Sequence, residues 1–427
     1  MNRIFFALIL IAFLIAGYRE IAWQPAGPEV SSPMETLSLA VVDSASGAVT
    51  LAIGLIGVMA LFLGLMKVAE EGGLLVIIAR VVRPLMVRLF PDVPAEHPAM
   101  GAMILNISAN VLGLGNAATP FGIRAMQELD KLNADKGTAT NAMALFLAIN
   151  TSSVTLLPTG IIALRASAGS GDPAGILPST LFATICSTTV AILAAKLYQR
   201  FSQAPAGTAG PAGDGDDGAG TPEAEAGQAY PTWVSALVLL VILAIVPLTI
   251  LYGKAISPWI IPGLIVLLLG FGLLRGVRVY EVFVEGAKDG FQVALRIIPY
   301  LVAILVAVGM FRGSGALELL IVPLGSVTGL FGLPPEALSM ALLRPLSGSG
   351  AYGLVASIIQ DPAIGPDSYT GYLVSTLQGS TETTFYVLAV YFGAVQIKRV
   401  RHALAAGLTA DLAGVIAAVV ICSVLFA

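Results

Sequence analysis

The chain is poor in the side chains that most catalytic and metal centres use. Of its 427 residues, two are cysteine and two are histidine, and only 11% are charged. Cys186 and Cys422 lie far apart inside apolar stretches, and His97 and His402 are equally isolated. We therefore expect cysteines that pack without a disulfide or a metal, and histidines at solvated or interfacial positions beside helices.

Enzyme and nucleic-acid signatures are lacking too. The sequence has no G-x-S-x-G, H-E-x-x-H or P-loop motif and no metal-spaced cluster. The formal net charge is −4, and no basic cluster with interleaved aromatic residues occurs. We expect no catalytic residues, no cofactor, no bound metal and no nucleic-acid partner.

Apolar residues are abundant instead, at 57% of the chain. Soluble domains carry roughly a quarter charged residues, more than twice the fraction found here. Several apolar stretches reach the roughly 18 to 20 residues that cross a bilayer as a helix. They are residues 47–66, 140–164, 176–199, 232–252 and 403–427. The composition predicts an all-α, polytopic integral membrane protein.

The first residues, MNRIFFALILIAFLIAG, fit either a secretory signal peptide or a short first helix. No clear A-x-A cleavage site follows them, so we favour a retained helix that continues towards Trp23.

Residues 203–230 consist mainly of Ala, Gly and Pro with five acidic residues and no Lys or Arg. Such a segment buries too little apolar surface to fold. We predict a flexible linker between two membrane halves, residues 1–202 and 231–427.

The two halves repeat one order of features, in a first copy at about residues 47–200 and a second at about 285–427. Each copy has an apolar helix, a Gly-containing break, a second apolar stretch, a helix interrupted by small polar residues, a long helix with a polar centre and a final apolar helix. In the first copy we expect residues 97–121 to enter the membrane and return on the same side. The pattern predicts a duplication with broken and re-entrant helices.

Lys and Arg placement sets the orientation of each copy, because short cytoplasmic loops carry the excess. Arg3 places the N-terminus inside, and helix 47–66 leads to Lys67 and Arg80 on the same side. If 232–252 and 257–274 form a helical hairpin, the second copy starts inside and runs opposite to the first. The inverted arrangement predicts that KRVR at 398–401 lies inside. Inverted repeats are typical of secondary transporters, whose site lies near the midplane.

One segment carries an acid and four hydroxyls at its centre. The run from Tyr369 to Ile397 is about 43 Å long if helical, longer than the roughly 30 Å hydrocarbon core, and Glu382 falls near its middle. We predict a break at Gln378–Gly379–Ser380, with Ser380 as the N-cap of a half-helix and Glu382 in its first turn. A carboxylate at that depth is a functional-site hypothesis. The alternative is that these hydroxyls only pack helices together.

Arg344 is the natural counter-charge for Glu382, although it could equally snorkel to the outer interface. Three further polar breaks lie at 106–116, 150–155 and 347–350. Together they give a candidate set of substrate- or ion-binding residues. These are Asn106, Ser108, Asn110, Asn116, Asn150, Thr151, Ser152, Ser153, Arg344, Ser347, Ser349, Ser380, Thr381, Glu382, Thr383 and Thr384.

Several long motifs carry a family resemblance. NISANVLGLGNAATPFGIRAMQELDKLN and FLAINTSSVTLLPT in the first half resemble spore maturation protein A. RIIPYLVAILVAVGMFRGSGALELL, LLRPLSGSGAYG and QGSTETTFYVLAVYFGAVQIKRVRHALAAGLTADLAG in the second half resemble spore maturation protein B. The resemblance covers nearly the whole chain outside the linker, as in a fusion of the two. It implies a nucleoside recognition, or Gate, domain, which is similar to parts of nucleoside transporters and of ferrous iron transport protein B. In spore formers the pair is associated with spore core dehydration, and the resemblance implies no catalytic residues.

These observations favour a multi-pass protein of the bacterial inner membrane, built from two inverted Gate-type repeats, that moves a small polar solute or ion through a midplane site. Its N-terminus and linker are then cytoplasmic, and Glu382 is the candidate proton- or cation-coupling group. The expected partners are the lipid bilayer and an unidentified polar solute or cation, and a homo-oligomer stays open. One alternative is a membrane scaffold for envelope or spore assembly that moves nothing. A weaker one is an intramembrane enzyme that acts on a lipid-linked substrate.

Overall fold

The described part of the chain is helical. The structure, a computed structural model, describes residues 2–24, 31–113, 118–202 and 230–426, and these contain sixteen α-helices and no named strand. The helices before residue 203 are α1 (Asn2–Ile21), α2 (Pro33–Glu71), α3 (Leu74–Leu89), α4 (Pro98–Leu112), α5 (Ala118–Lys131), α6 (Asn141–Thr151), α7 (Thr159–Ser167) and α8 (Leu177–Tyr198). Those after residue 230 are α9 (Thr232–Leu274), α10 (Val279–Gly313), α11 (Ala316–Gly329), α12 (Pro335–Leu343), α13 (Gly348–Gln360), α14 (Tyr369–Ser380), α15 (Thr384–Ala394) and α16 (Ala403–Phe426). The predicted linker falls almost wholly in 203–229, outside the described residues.

The duplication is visible in the order of the elements. α2 to α8 and α10 to α16 each comprise a long helix, a shorter one, a pair of short helices, a helix broken in two and a final long helix. In each copy the shorter helix follows a left-handed glycine, Gly73 at φ 82° and Gly315 at φ 81°. Glycine adopts this conformation without the steric penalty of a Cβ atom. The same turn chemistry thus recurs at the same place in both copies.

The two copies run in opposite directions. Along the α2–α10 pair, Gly309 near the end of α10 packs on Ser44 near the start of α2. Gly286 near the start of α10 packs on Lys67 near the end of α2. The long helices are therefore antiparallel, and the predicted inverted repeats are confirmed.

Helix lengths divide the elements into full spans and partial ones. Among the described residues, three segments are long and apolar enough to cross a membrane, Pro33–Gly54, Leu177–Tyr198 and Ala403–Phe426. α4 has 15 residues, or about 22 Å, which falls short of the roughly 30 Å hydrocarbon core. α4 and α5 pack together as a hairpin, as expected for a re-entrant segment. The chain is an all-α, polytopic membrane protein with broken helices.

Two helix predictions need correction. Residues 140–164 form two half-helices, because α6 ends at Thr151 and α7 begins at Thr159. α2 begins at Pro33, 14 residues before the predicted span, because Ser32 and Glu35 form a capping box there.

α9 is helical throughout, yet both of its ends lie beside the first half of α3, because Tyr230 N donates to Arg80 O at 3.4 Å and Arg275 Nε donates to Gly72 O at 2.9 Å. A straight helix of 43 residues would separate these ends by about 64 Å, so α9 folds back on itself, as the predicted hairpin of 232–252 and 257–274 requires.

Both copies share their apolar cores. One core joins α4 and α6 of the first copy to Val387, Leu388, Tyr391 and Phe392 on α15 of the second. Another joins α7 to α13, α14 and α16. Since each core draws on both copies, the breaks of the two copies are held against one another.

His402 does not occupy the solvated position expected for it. It precedes α16 and is 6% exposed, and neither ring nitrogen has a hydrogen-bond partner in the part of the chain that the structure describes. The neighbouring turn is bound to the first copy, because Ala139 N donates to Arg399 O at 2.9 Å and Arg401 donates to Ala139 O at 2.9 Å. These contacts bury the histidine.

Candidate functional site

The break in the second copy lies between α14 and α15. α14 ends at Ser380, residues 381–383 are extended, and Thr383 is the N-cap of α15. The predicted N-cap at Ser380 is wrong, since its buried hydroxyl is directed to Leu377 O at 3.4 Å within its own helix. Glu382 therefore lies in the extended segment rather than in the first turn of α15.

Arg344 holds this extended segment. It follows α12, is 5% exposed, and donates from Nη1 to Thr383 Oγ1 at 2.9 Å and from Nη2 to the carbonyl oxygen of Thr381. Its Nη2 lies 3.5 Å from Glu382 Oε2. The sequence left open whether Arg344 snorkels to the interface or pairs with Glu382. In the structure it pairs with Glu382. The guanidinium supplies donors to carbonyl and hydroxyl oxygens that the missing helical turn leaves unpaired.

The break of the first copy meets that of the second directly. The main-chain N–H of Glu382 donates to Thr151 O at 2.9 Å, at the C-terminal end of α6. The hydroxyls of Thr151, Ser152 and Ser153 bond back to carbonyls of α6 and are buried. These three predicted site residues therefore satisfy their own helix, as the packing alternative expects.

Asparagines of the first copy link the α4–α5 hairpin to the breaks. Asn110 Nδ2 donates to Asn150 Oδ1 at 2.9 Å, and Asn106 Nδ2 donates to Ala118 O at 2.8 Å and to the Tyr391 hydroxyl at 3.2 Å. Ser108 bonds back to Ile104 O within α4. Asn116 lies outside the described residues.

A cavity of about 1540 Å³ lies where the breaks of the two copies come together. Its wall includes residues of α4 and α5, Thr155 and residues 157–161, the α12–α13 turn, and Gln378, Gly379, Glu382 and Thr383. Glu382 contributes a carboxylate that is 52% exposed. The cavity therefore presents a charged pair, several hydroxyls and main-chain groups freed by the breaks.

The predicted residues divide between this wall and the layer behind it. Those that line the cavity are Asn110, Arg344, Ser347, Ser349, Glu382 and Thr383. Those that do not are Asn106, Ser108, Asn150, Thr151, Ser152, Ser153, Ser380, Thr381 and Thr384. Ser347 also caps α13, because its Oγ accepts from Gly350 N at 3.1 Å.

Sequence reasoning missed several residues of the wall. Gln378, Thr119, Arg124, Gln127 and Tyr386 all line the cavity. Gln378 stands in the predicted break and could have been included on that ground. The others lie on α5 and α15, whose inward faces become known only when the two copies are packed together.

The most informative residue that the sequence prediction missed is Asp411. It lies in the middle of α16, is 5% exposed, and its Oδ2 accepts a hydrogen bond from Thr384 Oγ1 at 2.6 Å. An acid within an apolar span is itself a signal of function. No group of three or more His, Cys, Asp or Glu residues that could hold a metal occurs among the residues described.

The fold and its site define a class: polytopic membrane proteins in which broken helices from two inverted repeats line a cavity. The Gate family, described as nucleoside recognition, matches residues 52–168 and 294–398. Together these segments make up more than half of the chain, and the chain belongs to this family.

Curated relatives cover different parts of the chain. Spore maturation protein A of Bacillus subtilis (strain 168) is 46% identical over 160 residues, which is 38% of this chain and 82% of that protein. Spore maturation protein B of the same organism is 48% identical over 172 residues, 40% of this chain and 93% of that protein. The chain is thus a fusion of an A-like and a B-like part. The solved structure of CNTnw in an inward-facing substrate-bound state aligns over 96% of this chain and 91% of that one, at 15% identity and a TM-score of 0.45.

Proposed function

We propose that this protein is a secondary transporter of the bacterial inner membrane that moves a small polar solute through the cavity between its two repeats. One observation carries the proposal: the cavity is bounded by breaks from both copies and has the Arg344–Glu382 pair in its wall. In inverted-repeat transporters, unwound backbone and half-helix ends at the repeat interface bind the substrate and the coupling ion. The N-terminus and linker are cytoplasmic in this proposal.

The wall suits a solute that has both a flat apolar part and hydrogen-bonding groups. Phe385, Tyr386 and Tyr352 offer aromatic surface, while Glu382 and Gln378 offer hydrogen-bonding groups. A nucleoside has both parts, and the description of the family as nucleoside recognition supports testing this class first.

Ligand-induced thermal stabilisation of the purified full-length chain tests the proposal. The panel comprises nucleosides, amino acids, small organic acids and cations, each titrated against wild type. A ligand that binds only the folded state stabilises it by mass action, about 2.7 kcal/mol at one hundred times its Kd. We expect at least one nucleoside to raise the unfolding midpoint of wild type and to lose that effect in Glu382→Gln.

Glu336→Gln is the matched control, because Glu336 belongs to the same copy and does not line the cavity. It should respond to the ligand as wild type does. If no compound on the panel stabilises wild type, the transporter proposal fails and the scaffold alternative gains. A chemically altered compound recovered after incubation would favour the enzyme alternative.

A further inference from the structure

Asp411 lies directly behind the break of the second copy. Residues Gly407, Asp411 and Gly414 lie on one face of α16, at helical spacings of four and three. A Cβ atom at Gly414 would lie 2.7 Å from Thr381 Cγ2, and one at Gly407 would lie 3.0 Å from Thr384 Cγ2. The two glycines therefore let the extended segment lie against α16, with the carboxyl group between them.

If ionised, the Asp411 carboxyl group would have few hydrogen-bond donors and no ion pair to stabilise its charge. Oδ2 accepts from the Thr384 hydroxyl, whereas Oδ1 has no hydrogen-bond partner among the described residues. The side chain is 95% buried, and Thr384 is wholly buried. An ionised carboxylate in such a place loses its hydration without gaining an ion pair, whereas a protonated one carries no net charge.

The neighbouring helices supply no cation to the carboxyl group. α6, α8, α14 and α15 pack against α16, and α6 contains no titratable residue. On α8, Lys196 Nζ donates to Leu89 O and the Tyr198 hydroxyl pairs with Thr409. Cys186 is the remaining titratable group of α8.

The aromatic hydroxyls and the remaining charges are accounted for elsewhere. On α14, the Tyr372 ring lies under Arg165 and stacks on Phe426. On α15, the Tyr391 hydroxyl bonds with Asn106, and Tyr386 faces the cavity.

On α16 itself, Cys422 donates to Thr376. Before α16, Arg401 donates to Ala139 O and Ser202, while His402 lies nine residues ahead of Asp411. The cation whose field reaches Asp411 is Arg344, and that guanidinium is already bound to Thr381 O, Thr383 and Glu382.

Arg344, Glu382 and Asp411 thus form a set of one positive and two acidic groups around residues 381–384. The set is neutral when it holds one proton. Glu382 is 52% exposed at the cavity and lies 3.5 Å from Arg344, whereas Asp411 is buried without an ion pair, so the geometry points to Asp411 as the group that takes the proton. A metal ion fits poorly here, because one carboxyl group and one hydroxyl supply far fewer than the six to eight oxygens that Ca²⁺ takes.

We propose that Asp411 is the proton-binding site of the transport cycle and holds a proton while residues 381–384 lie against α16. When that segment moves away, water reaches Oδ1, the O–H bond breaks, the electron pair stays on the carboxylate and the proton passes to water. The reverse step, from water on the other side of the membrane, restores the neutral set. This inference rests on the proposed function for its link to solute movement, and it assigns the coupling proton to Asp411 rather than to Glu382.

Infrared spectroscopy of the full-length protein, reconstituted in lipid at neutral pH, tests the proton site without any solute. We expect wild type to show the carbonyl stretch of a protonated carboxyl group, shifted in D₂O. The band should be lost in Asp411→Asn and kept in Glu382→Gln. Thr384→Val removes only the hydroxyl donor, so it should keep the band and move it to higher frequency. This variant also tests the assignment if Asp411→Asn does not fold. Absence of the band in wild type, or its persistence in a folded Asp411→Asn, overturns the assignment.

Two further infrared measurements distinguish a proton site from a cation site, and test the proton site separately from the proposed function. Replacing choline chloride with sodium chloride should leave the band unchanged, and its loss in sodium would assign a cation site instead. A nucleoside that stabilises wild type should change the band's intensity, and no change would remove the proton from the transport cycle. If no compound of the panel stabilises wild type yet the band is present, the proton site stands and the proposed function fails.

Discussion

The main-chain N–H of Glu382 donates to the carbonyl oxygen of Thr151 at 2.9 Å, and the two residues belong to opposite copies of the repeat. A broken helix leaves main-chain groups without intrahelical partners, which are costly to expose in a bilayer. Here a donor freed by one break satisfies an acceptor freed by the other. The two breaks therefore stabilise each other, and movement of one requires the other to find a new partner.

Arg344 should matter more for stability than a partly exposed arginine does. We expect Arg344→Met to lower the free energy of unfolding by about 2–4 kcal/mol, because Thr381 O and Thr383 lose a charged donor in a buried place. Arg312→Met is the control, since the Arg312–Asp361 pair spans 3.4 Å and both side chains are about one-third exposed, so we expect a loss below about 1 kcal/mol. Unfolding midpoints in detergent compare the two variants. Equal losses would mean that Arg344 does not hold the extended segment.

A methyl group at Gly414 should disturb the packing of the break. Gly414→Ala places its Cβ 2.7 Å from Thr381 Cγ2, and overpacking of this kind costs about 1–3 kcal/mol. Gly101→Ala, on α4, has no atom within 4 Å of the new Cβ and should be stabilising by about 0.5–1 kcal/mol. Thermal unfolding of the two single variants checks the opposite signs. A neutral Gly414→Ala would show that α16 and the extended segment separate easily.

Arg165 joins the two copies at the end of the molecule opposite residue 402. It is fully buried and donates to Pro366 O at 2.6 Å and to Asp367 Oδ1 at 2.9 Å, with its Cζ 4.1 Å from the centroid of the Tyr372 ring. Lysine cannot reproduce this fork and stacking, so we expect Arg165→Lys to cost about 2–4 kcal/mol.

Asp367→Asn provides the comparison for Arg165→Lys. The Asp367 side chain is 42% exposed, so its loss should cost less, about 1 kcal/mol or below. A double-mutant cycle from urea or thermal unfolding gives the coupling between the two residues. Zero coupling would contradict a structural link at this position.

Because His402 is buried, we expect the stability of the protein to depend on pH. Burial, with a smaller contribution from Arg401, lowers the pKa of His402 from 6.5 to about 4. In the window between these values the unfolded state binds more protons than the folded state, so stability rises with pH. The contribution is fully present above 6.5 and is lost as pH falls towards 4, at most about 3 kcal/mol. His402→Gln should remove this part of the pH dependence between 4 and 6.5. An unchanged slope in the variant would place a charged, solvated imidazole at this position.

Much of the architecture could be predicted from local features. Gly, Pro and polar residues interrupt the apolar runs at the four breaks, and Lys and Arg mark one side, so the repeat order and its inversion follow from the sequence. The end of α14 could not be placed, because Ser380 is a good N-cap by residue type whereas the chain stays extended to Thr383. That extension depends on Arg344, 37 residues away from Thr381 in sequence.

The site was harder to predict than the fold. Hydroxyls at Ser108, Thr151, Ser152 and Ser153 look alike in sequence whether they bond back to their helix or face a cavity, and here they bond back. Asp411 carried a usable signal, an acid between Gly407 and Gly414 in an otherwise apolar span. Its meaning depends on the segment packed against it, which a single helix cannot reveal.

The joining of two repeats in one polypeptide has a consequence for assembly. Two separate chains with these contacts would have to find each other, and the fraction paired would depend on how much of each the cell makes. A covalent connection replaces that search with an effective concentration on the order of millimolar. The hydrogen bond from Glu382 to Thr151 then forms at any expression level, and the two halves are always made in equal amounts.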